Sequence, residues 1–225
     1  MRQICEQLWV IERPFRLMGA ELGTRATVVR LPDNLLWVHS PVKLHPEVQS
    51  KLDQLGAVRY VVAPSRMHHL FIKDYQVTYP GAFLYGVQEL VSERDDISFH
   101  AQLGAYSPAG WGGAFDQQQV RGIPRVNEVA FLHHASRTLI VTDLLMCFPD
   151  MTDRWTRLFL RLDGVGRDCA VSRLIRFAIR DRGALRLSIE RILEWEFDRI
   201  VMSHGVVVER GGKEAFAKAF DWLLS

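Results

Sequence analysis

The chain is poor in cysteine, in long apolar runs and in net charge, and each shortage excludes something. Cys5, Cys147 and Cys169 are the only cysteines among 225 residues. Their number is odd and no two form a Cys-x-x-Cys pair. That argues against a disulfide framework or a zinc finger and fits a reducing compartment. No uninterrupted apolar stretch approaches the roughly 18 residues that a membrane helix needs. Glu6 and Glu12 flank the apolar residues 8–11, which breaks any secretory pattern, so a cytoplasmic location is expected. A net charge of only +2 gives no global argument for binding nucleic acid or a membrane surface. Repeats, low-complexity tracts and linker-like stretches are missing as well.

What remains is an ordinary globular composition, 48% hydrophobic and 24% charged, long enough to bury a core without staples. One α/β domain over residues 1–225, with mixed sheets, is the simplest architecture. Residues 24–31 and 35–39 read as a hairpin around Pro32-Asp33-Asn34. Pro46 opens a helix with Val48, Leu52 and Leu55 on one face, stopped at Gly56. Residues 58–63 are nearly all apolar, as in a buried strand beside a crossover helix. A short helix is expected over 68–75, a strand over 82–86 and an edge strand within 95–103. Residues 128–132 and 138–142 read as a second hairpin. The last third is mostly helical: Val171, Leu174, Ile175 and Ala178 repeat at helical spacing, with Arg173, Arg176 and Arg180 opposite. A strand over 199–203 and a helix after Gly211-Gly212 complete the order.

Eight histidines are present. His68–His69 follow the buried strand, Asp143 ends another in Leu-Ile-Val-Thr-Asp, and His204 ends a third in Val-Met-Ser-His-Gly. In open α/β sheets, sites form at the carboxyl ends of strands. His68, His69, Asp143 and His204 thus make a His₃Asp set. Imidazoles with one carboxylate suit one transition metal ion, zinc first, with iron or manganese as alternatives. A lone strand-end His is more often structural than a ligand, and an Asp there often caps a helix.

The stretches Leu-Trp-Val-His-Ser-Pro (36–41), Val-Val-Ala-Pro-Ser-Arg-Met-His-His-Leu-Phe (61–71), Tyr-Pro-Gly-Ala (79–82), Asn-Glu-Val-Ala-Phe-Leu-His (127–133), Ser-Arg-Thr-Leu-Ile-Val-Thr-Asp (136–143) and Ser-His-Gly (203–205) resemble, in order and spacing, the metallo-β-lactamase superfamily. More closely they resemble an uncharacterised bacterial family, a domain of unknown function, within that fold. The resemblance implies a four-layer αββα sandwich. The superfamily's signature His-x-His-x-Asp-His falls on Pro64, Arg66, His68 and His69. Its first two histidines are therefore absent, and no His between 101 and 132 supplies the third ligand of the first metal site. The second site's four positions correspond to His68, His69, Asp143 and His204, and all can bind metal. One site lost and one retained is what the resemblance implies, with two-metal hydrolysis put in doubt.

His133, near the end of the second hairpin, is the candidate proton donor. His39 reads as a packed core residue, Asp74 as a solvated helix position, and Glu128 as a partner for Arg137. Trp111 among Gly110, Gly112 and Gly113 suggests a lid, although an irregular surface loop is the plainer account. Residues 154–191 carry ten arginines and no lysine against four acidic residues. A solvated helical face is the first reading and an anion-attracting wall the second; stacking aromatics are not interleaved, which disfavours nucleic acid. The expected function is that of a metal-binding, hydrolase-like protein with a mononuclear site, acting on a small or ester-like substrate with water activated on the ion. The alternative is a binding or interaction module that kept the fold and lost the metal.

Overall fold

The computed structural model describes residues 1–150 and 153–225. Strands β1 (Arg2–Cys5) and β2 (Leu8–Arg13) form a hairpin, and β3 (Arg16–Leu17) and β4 (Ala20–Glu21) a small ribbon. Next come β5 (Thr24–Arg30) and β6 (Leu35–His39), then three crossovers. Helix α1 (Pro46–Leu55) leads to β7 (Ala57–Ala63), α2 (Ile72–Thr78) to β8 (Phe83–Gly86), and α3 (Gln88–Glu93) to β9 (Ala101–Gln102). These strands make a seven-stranded sheet in the order β1-β2-β5-β6-β7-β8-β9, antiparallel up to β6 and parallel beyond it. Helices supply the parallel connections because a hairpin cannot reverse the chain twice.

The second sheet has four strands: β10 (Phe115–Gln119), β11 (Val129–His133), β12 (Thr138–Ile140) and β13 (Arg199–Val201). Its last pair, β12 with β13, is parallel. Between those two strands run α4 (Arg154–Leu162), α5 (Arg173–Phe177) and α6 (Arg182–Leu193), and α7 (Gly212–Leu224) follows β13. Asp153, Ser172 and Asp181 cap α4, α5 and α6, each accepting a backbone N–H of the first turn.

Strand alternation makes the layers. Val129 and Phe131 of β11 join one core with the first sheet and α1–α3. Ala130 and Leu132, on the opposite face, join a second core with α6 and α7. Helices, sheet, sheet and helices are therefore stacked in that order, the αββα sandwich with mixed sheets. Trp37 lies between the sheets, with Phe115, Phe131 and Trp111 rings centred 4.3, 5.2 and 5.6 Å away. Truncating a ring so placed costs about 3–5 kcal/mol.

Several expectations need correction. Trp111 is fully buried in this aromatic cluster, so it anchors its loop to the core rather than forming a lid. Residues 68–71 form an irregular bend and turn, and the helix starts only at Ile72. The expected strand over 95–103 shrinks to two residues, and β1, β2 and β10 were not anticipated. Leu174 is 54% exposed instead of facing inward, because α5 is a short five-residue turn of helix. The guanidinium of Arg176 sits 4.3 Å from the Trp222 ring, packing α5 against α7 rather than facing solvent alone. Cys147 and Cys169 are joined by a disulfide, against the reading of the cysteines as reduced. Among the described residues, no helix is long and apolar enough to cross a membrane.

Candidate metal centre

Parallel pairing brings four strand ends to one rim. His39 of β6 pairs with Val62 of β7, so Ser40 and the turn carrying His68 leave the first sheet side by side. Ile140 of β12 pairs with Val201 of β13, so Asp143 and His204 leave the second sheet together. The ligand atoms of His68, Asp143 and His204 lie within 4.8 Å of one another. His68 Nε2 is 3.2 Å from Asp143 Oδ2, and His204 Nε2 is 3.3 Å from Asp143 Oδ1.

The other ring nitrogens fix which atom each imidazole presents. His204 Nδ1 is 2.6 Å from the carbonyl oxygen of Gly23, which only accepts. Nδ1 therefore carries the proton, and in neutral His204 the Nε2 lone pair faces Asp143. Gly205 holds this turn at φ +86°, and a Cβ there would stand 2.0 Å from the Cys147 carbonyl oxygen, so only glycine fits. His68 Nδ1 is 2.8 Å from Ser40 Oγ, which is itself 3.4 Å from Ser203 Oγ. Ser40 adopts φ 53°, a left-handed conformation that a residue with a β-carbon enters at a cost of about 1–3 kcal/mol.

Asp143 is held by a second carboxylate. Glu128, 2% exposed, accepts the backbone N–H groups of Asp143 at 2.9 Å and Leu144 at 3.0 Å, and that of Thr142 as well. Burial, reinforced by the charge of Asp143, pushes the Glu128 pKa up to about 7 against the pull of the Thr142 N–H. Burial also acts to raise Asp143, but His68 and His204 outweigh it and hold that carboxyl far below the usual range. For His68 burial acts downward, yet Asp143 outweighs it and the pKa rises.

His69 does not join this group. Arg94 Nη1 lies 2.7 Å from His69 Nδ1, and a guanidinium only donates. The Nδ1 lone pair is therefore spent on Arg94, the proton sits on Nε2, and the neutral ring has no lone pair left for an ion. His133 is displaced too. It pairs with Thr138 at the opposite end of the hairpin, roughly 15 Å of strand from Asp143. Its Nδ1 is 2.7 Å from Ser136 Oγ, and burial lowers its pKa to about 4, so it is a poor proton donor at neutral pH. Glu128 is likewise at the far end from Arg137, which pairs with Glu196 instead. His39 is core, as expected, stacked on Trp37 with its pKa well lowered by burial. The sequence reading missed Ser40 and the role of Glu128. Ser40 was legible as the residue ending the strand beside the one before His68.

The donor set fits a divalent ion. Asp143 Oδ2 is buried without a geometrically formed hydrogen bond, with His68 Nε2 at 3.2 Å. The His204 lone pair and a carboxylate oxygen face each other at 3.3 Å, which is repulsive unless a proton or a metal cation lies between them. Two imidazoles and one carboxylate are a known catalytic zinc set that leaves a position open. Above the three residues lies a pocket of about 160 Å³.

Two sheets face to face between helices, with imidazoles and a carboxylate gathered at one rim, define a protein of the metallo-β-lactamase fold. Solved structures agree. The chain superimposes on a metallo-β-lactamase from Pontibacter korlensis with TM-score 0.67 and 11% identity, covering 98% of this chain and 96% of that one. For a metallo-β-lactamase from Erythrobacter litoralis the TM-score is 0.65 at 12% identity, covering 98% and 90%. For the metallo-β-lactamase FIM-1 from Pseudomonas aeruginosa, in its mono-zinc form, it is 0.63 at 10% identity, covering 100% and 96%. Within this fold the chain belongs to the family described as Domain of unknown function (DUF4336), which matches residues 5–164 and so includes His68 and Asp143. No curated protein matches the chain by sequence.

Proposed function

We propose that this protein is a metal-dependent hydrolase of one domain with a mononuclear centre held by His68, Asp143 and His204, zinc being the ion best suited to the set. The observation that carries this reading is the gathering of His68, Asp143 and His204 ligand atoms within 4.8 Å, with His204 Nδ1 donating to the Gly23 carbonyl so that Nε2 is turned to the buried carboxylate. A bound divalent ion supplies Lewis acidity, polarising a substrate carbonyl and making water a better nucleophile near neutral pH. The protein's own groups do the rest. Gly23 and Ser40 orient the two imidazoles, as outer partners of metal ligands do. Glu128 fixes the loop that carries Asp143. His69, engaged with Arg94, would take no part in holding the ion.

Support also comes from the mono-zinc state of FIM-1, a protein of the same fold. The test compares chelator-treated protein with protein reconstituted with one equivalent of zinc, using 4-nitrophenyl acetate. Hydrolysis restored by the first equivalent and abolished by His68→Ala is the expected result. Equal rates in stripped and loaded protein would leave the fold as a binding module and end the hydrolase reading.

A further inference from the structure

We infer that the pocket over the metal centre receives an uncharged carboxylic ester whose compact apolar acyl group, about the size of a six-carbon ring, is buried against the walls. This rests on the hydrolase reading above for its chemistry but not for its binding. The walls include Phe15, Leu22, Met146, Leu160, Leu174 and Ile175, and His68, Asp143 and His204, whose ligand atoms lie within 4.8 Å of one another, also line the pocket. A cavity of about 160 Å³ compares with the apolar cavity of about 150 Å³ that stays dry and binds benzene.

Charge decides the class. Among the described residues lining the pocket there is no lysine or arginine. An anionic group along the walls would lose its hydration with no lysine or arginine to pair with, which is costly. The nearest wall carboxylate, Asp163, is occupied by the backbone N–H of Leu174 at 2.9 Å, and Ser172 Oγ by that of Ile175 at 3.2 Å. Substrates bearing a carboxylate on the acyl group are therefore disfavoured.

Leaving-group chemistry narrows it further. Apart from the three residues of the metal centre, Asp163 is the only titratable side chain among the described residues lining the pocket. A departing amine needs a well-placed proton donor, whereas an alcohol of low basicity does not. In the ester reaction the oxygen of one water bonds to the carbonyl carbon and the acyl–oxygen bond breaks. The products are a carboxylate, an alcohol that takes one proton, and one proton released to solvent. A β-lactam, an amide bearing a carboxylate, fails on both counts, although the fold neighbours carry that name.

The test uses zinc-loaded full chain and 4-nitrophenyl esters from acetate to decanoate, with nitrocefin and bis(4-nitrophenyl) phosphate alongside. Each added methylene should raise kcat/KM about fourfold, the factor that burial of one CH₂ supplies, up to about hexanoate, and the rise should stop beyond it. Nitrocefin and the phosphodiester should stay at the buffer rate. A binding arm needs no catalysis: saturation-transfer NMR of methyl hexanoate and of hexanoate on zinc-stripped protein. The ester should bind at least tenfold more tightly than the anion, and Leu174→Arg, at the exposed wall, should weaken the ester and not the anion. Ester binding without turnover supports the pocket inference while ending the hydrolase reading. Turnover with no chain-length trend, turnover of nitrocefin or the phosphodiester at rates matching the esters, or equal binding of ester and anion overturns the inference and leaves the hydrolase reading intact.

Discussion

Replacing Glu128 by glutamine isolates one buried charge, and its effect follows from the structure. The side chain is 2% exposed and its folded pKa stands at about 7, raised by burial and by Asp143. A carboxyl whose pKa is higher folded than unfolded holds its proton more tightly in the folded chain. Its contribution to stability is therefore complete below the unfolded value, about 4.5, and is lost as pH rises through about 7. Integrated at about 1.4 kcal/mol per pH unit, the loss between pH 5 and pH 8 is about 2–3 kcal/mol. Glutamine cannot ionise, so it keeps a pH-independent cost of about 1–3 kcal/mol for turning an amide donor toward a backbone N–H. The deficit of Glu128→Gln relative to wild type should therefore shrink by about 2–3 kcal/mol from pH 5 to pH 8. Urea unfolding of chelator-treated proteins at four pH values in that range measures it. A deficit that is constant, or that grows with pH, refutes the assignment of Glu128 as a carboxyl ionising near neutrality.

Other expectations follow from the same geometry. Because Asp143 raises the His68 pKa, a proton competes with metal at that imidazole; zinc affinity, followed by chelator competition, should fall about tenfold per pH unit below that pKa and level off above it. Gly205→Ala places a Cβ against the Cys147 carbonyl at φ +86° and should cost more than about 1 kcal/mol, with weaker zinc binding because His204 shifts; an unchanged melting temperature would contradict this. The Cys147–Cys169 bond spans 22 residues, so Cys169→Ser should lower stability by about 3 kcal/mol in denaturant titration, and none of that loss should appear if the bond is absent from the native protein.

Much of the fold was legible in the pattern. The hairpin around Pro32, the helix from Pro46 to Gly56 and the apolar strand before His68 announced themselves through turn residues and periodicity, because each is specified locally. The rims were legible too, since Asp143 and His204 follow β-branched runs. Less visible were β1 and β10, which carry few apolar residues, and β2, whose apolar run Leu8–Ile11 is short and does not alternate. His69 and His133 show the limit of adjacency. One imidazole of a neighbouring pair is turned to Arg94, and a histidine five residues along a hairpin sits at its other end. Side-chain direction and register decide ligation, and neither is written in spacing. Glu128 was misassigned for the same reason: register sets it beside the Asp143 loop and not beside Arg137.

A single cation is expected between His68, Asp143 and His204. Anomalous diffraction at the zinc edge, on crystals of protein purified without chelator and supplied with zinc, tests it directly. One strong peak bounded by His68 Nε2, Asp143 and His204 Nε2 is expected, lost in Asp143→Ala and retained in His69→Ala. No peak at that position, a second peak of equal height, or a peak coordinated by His69 would contradict it.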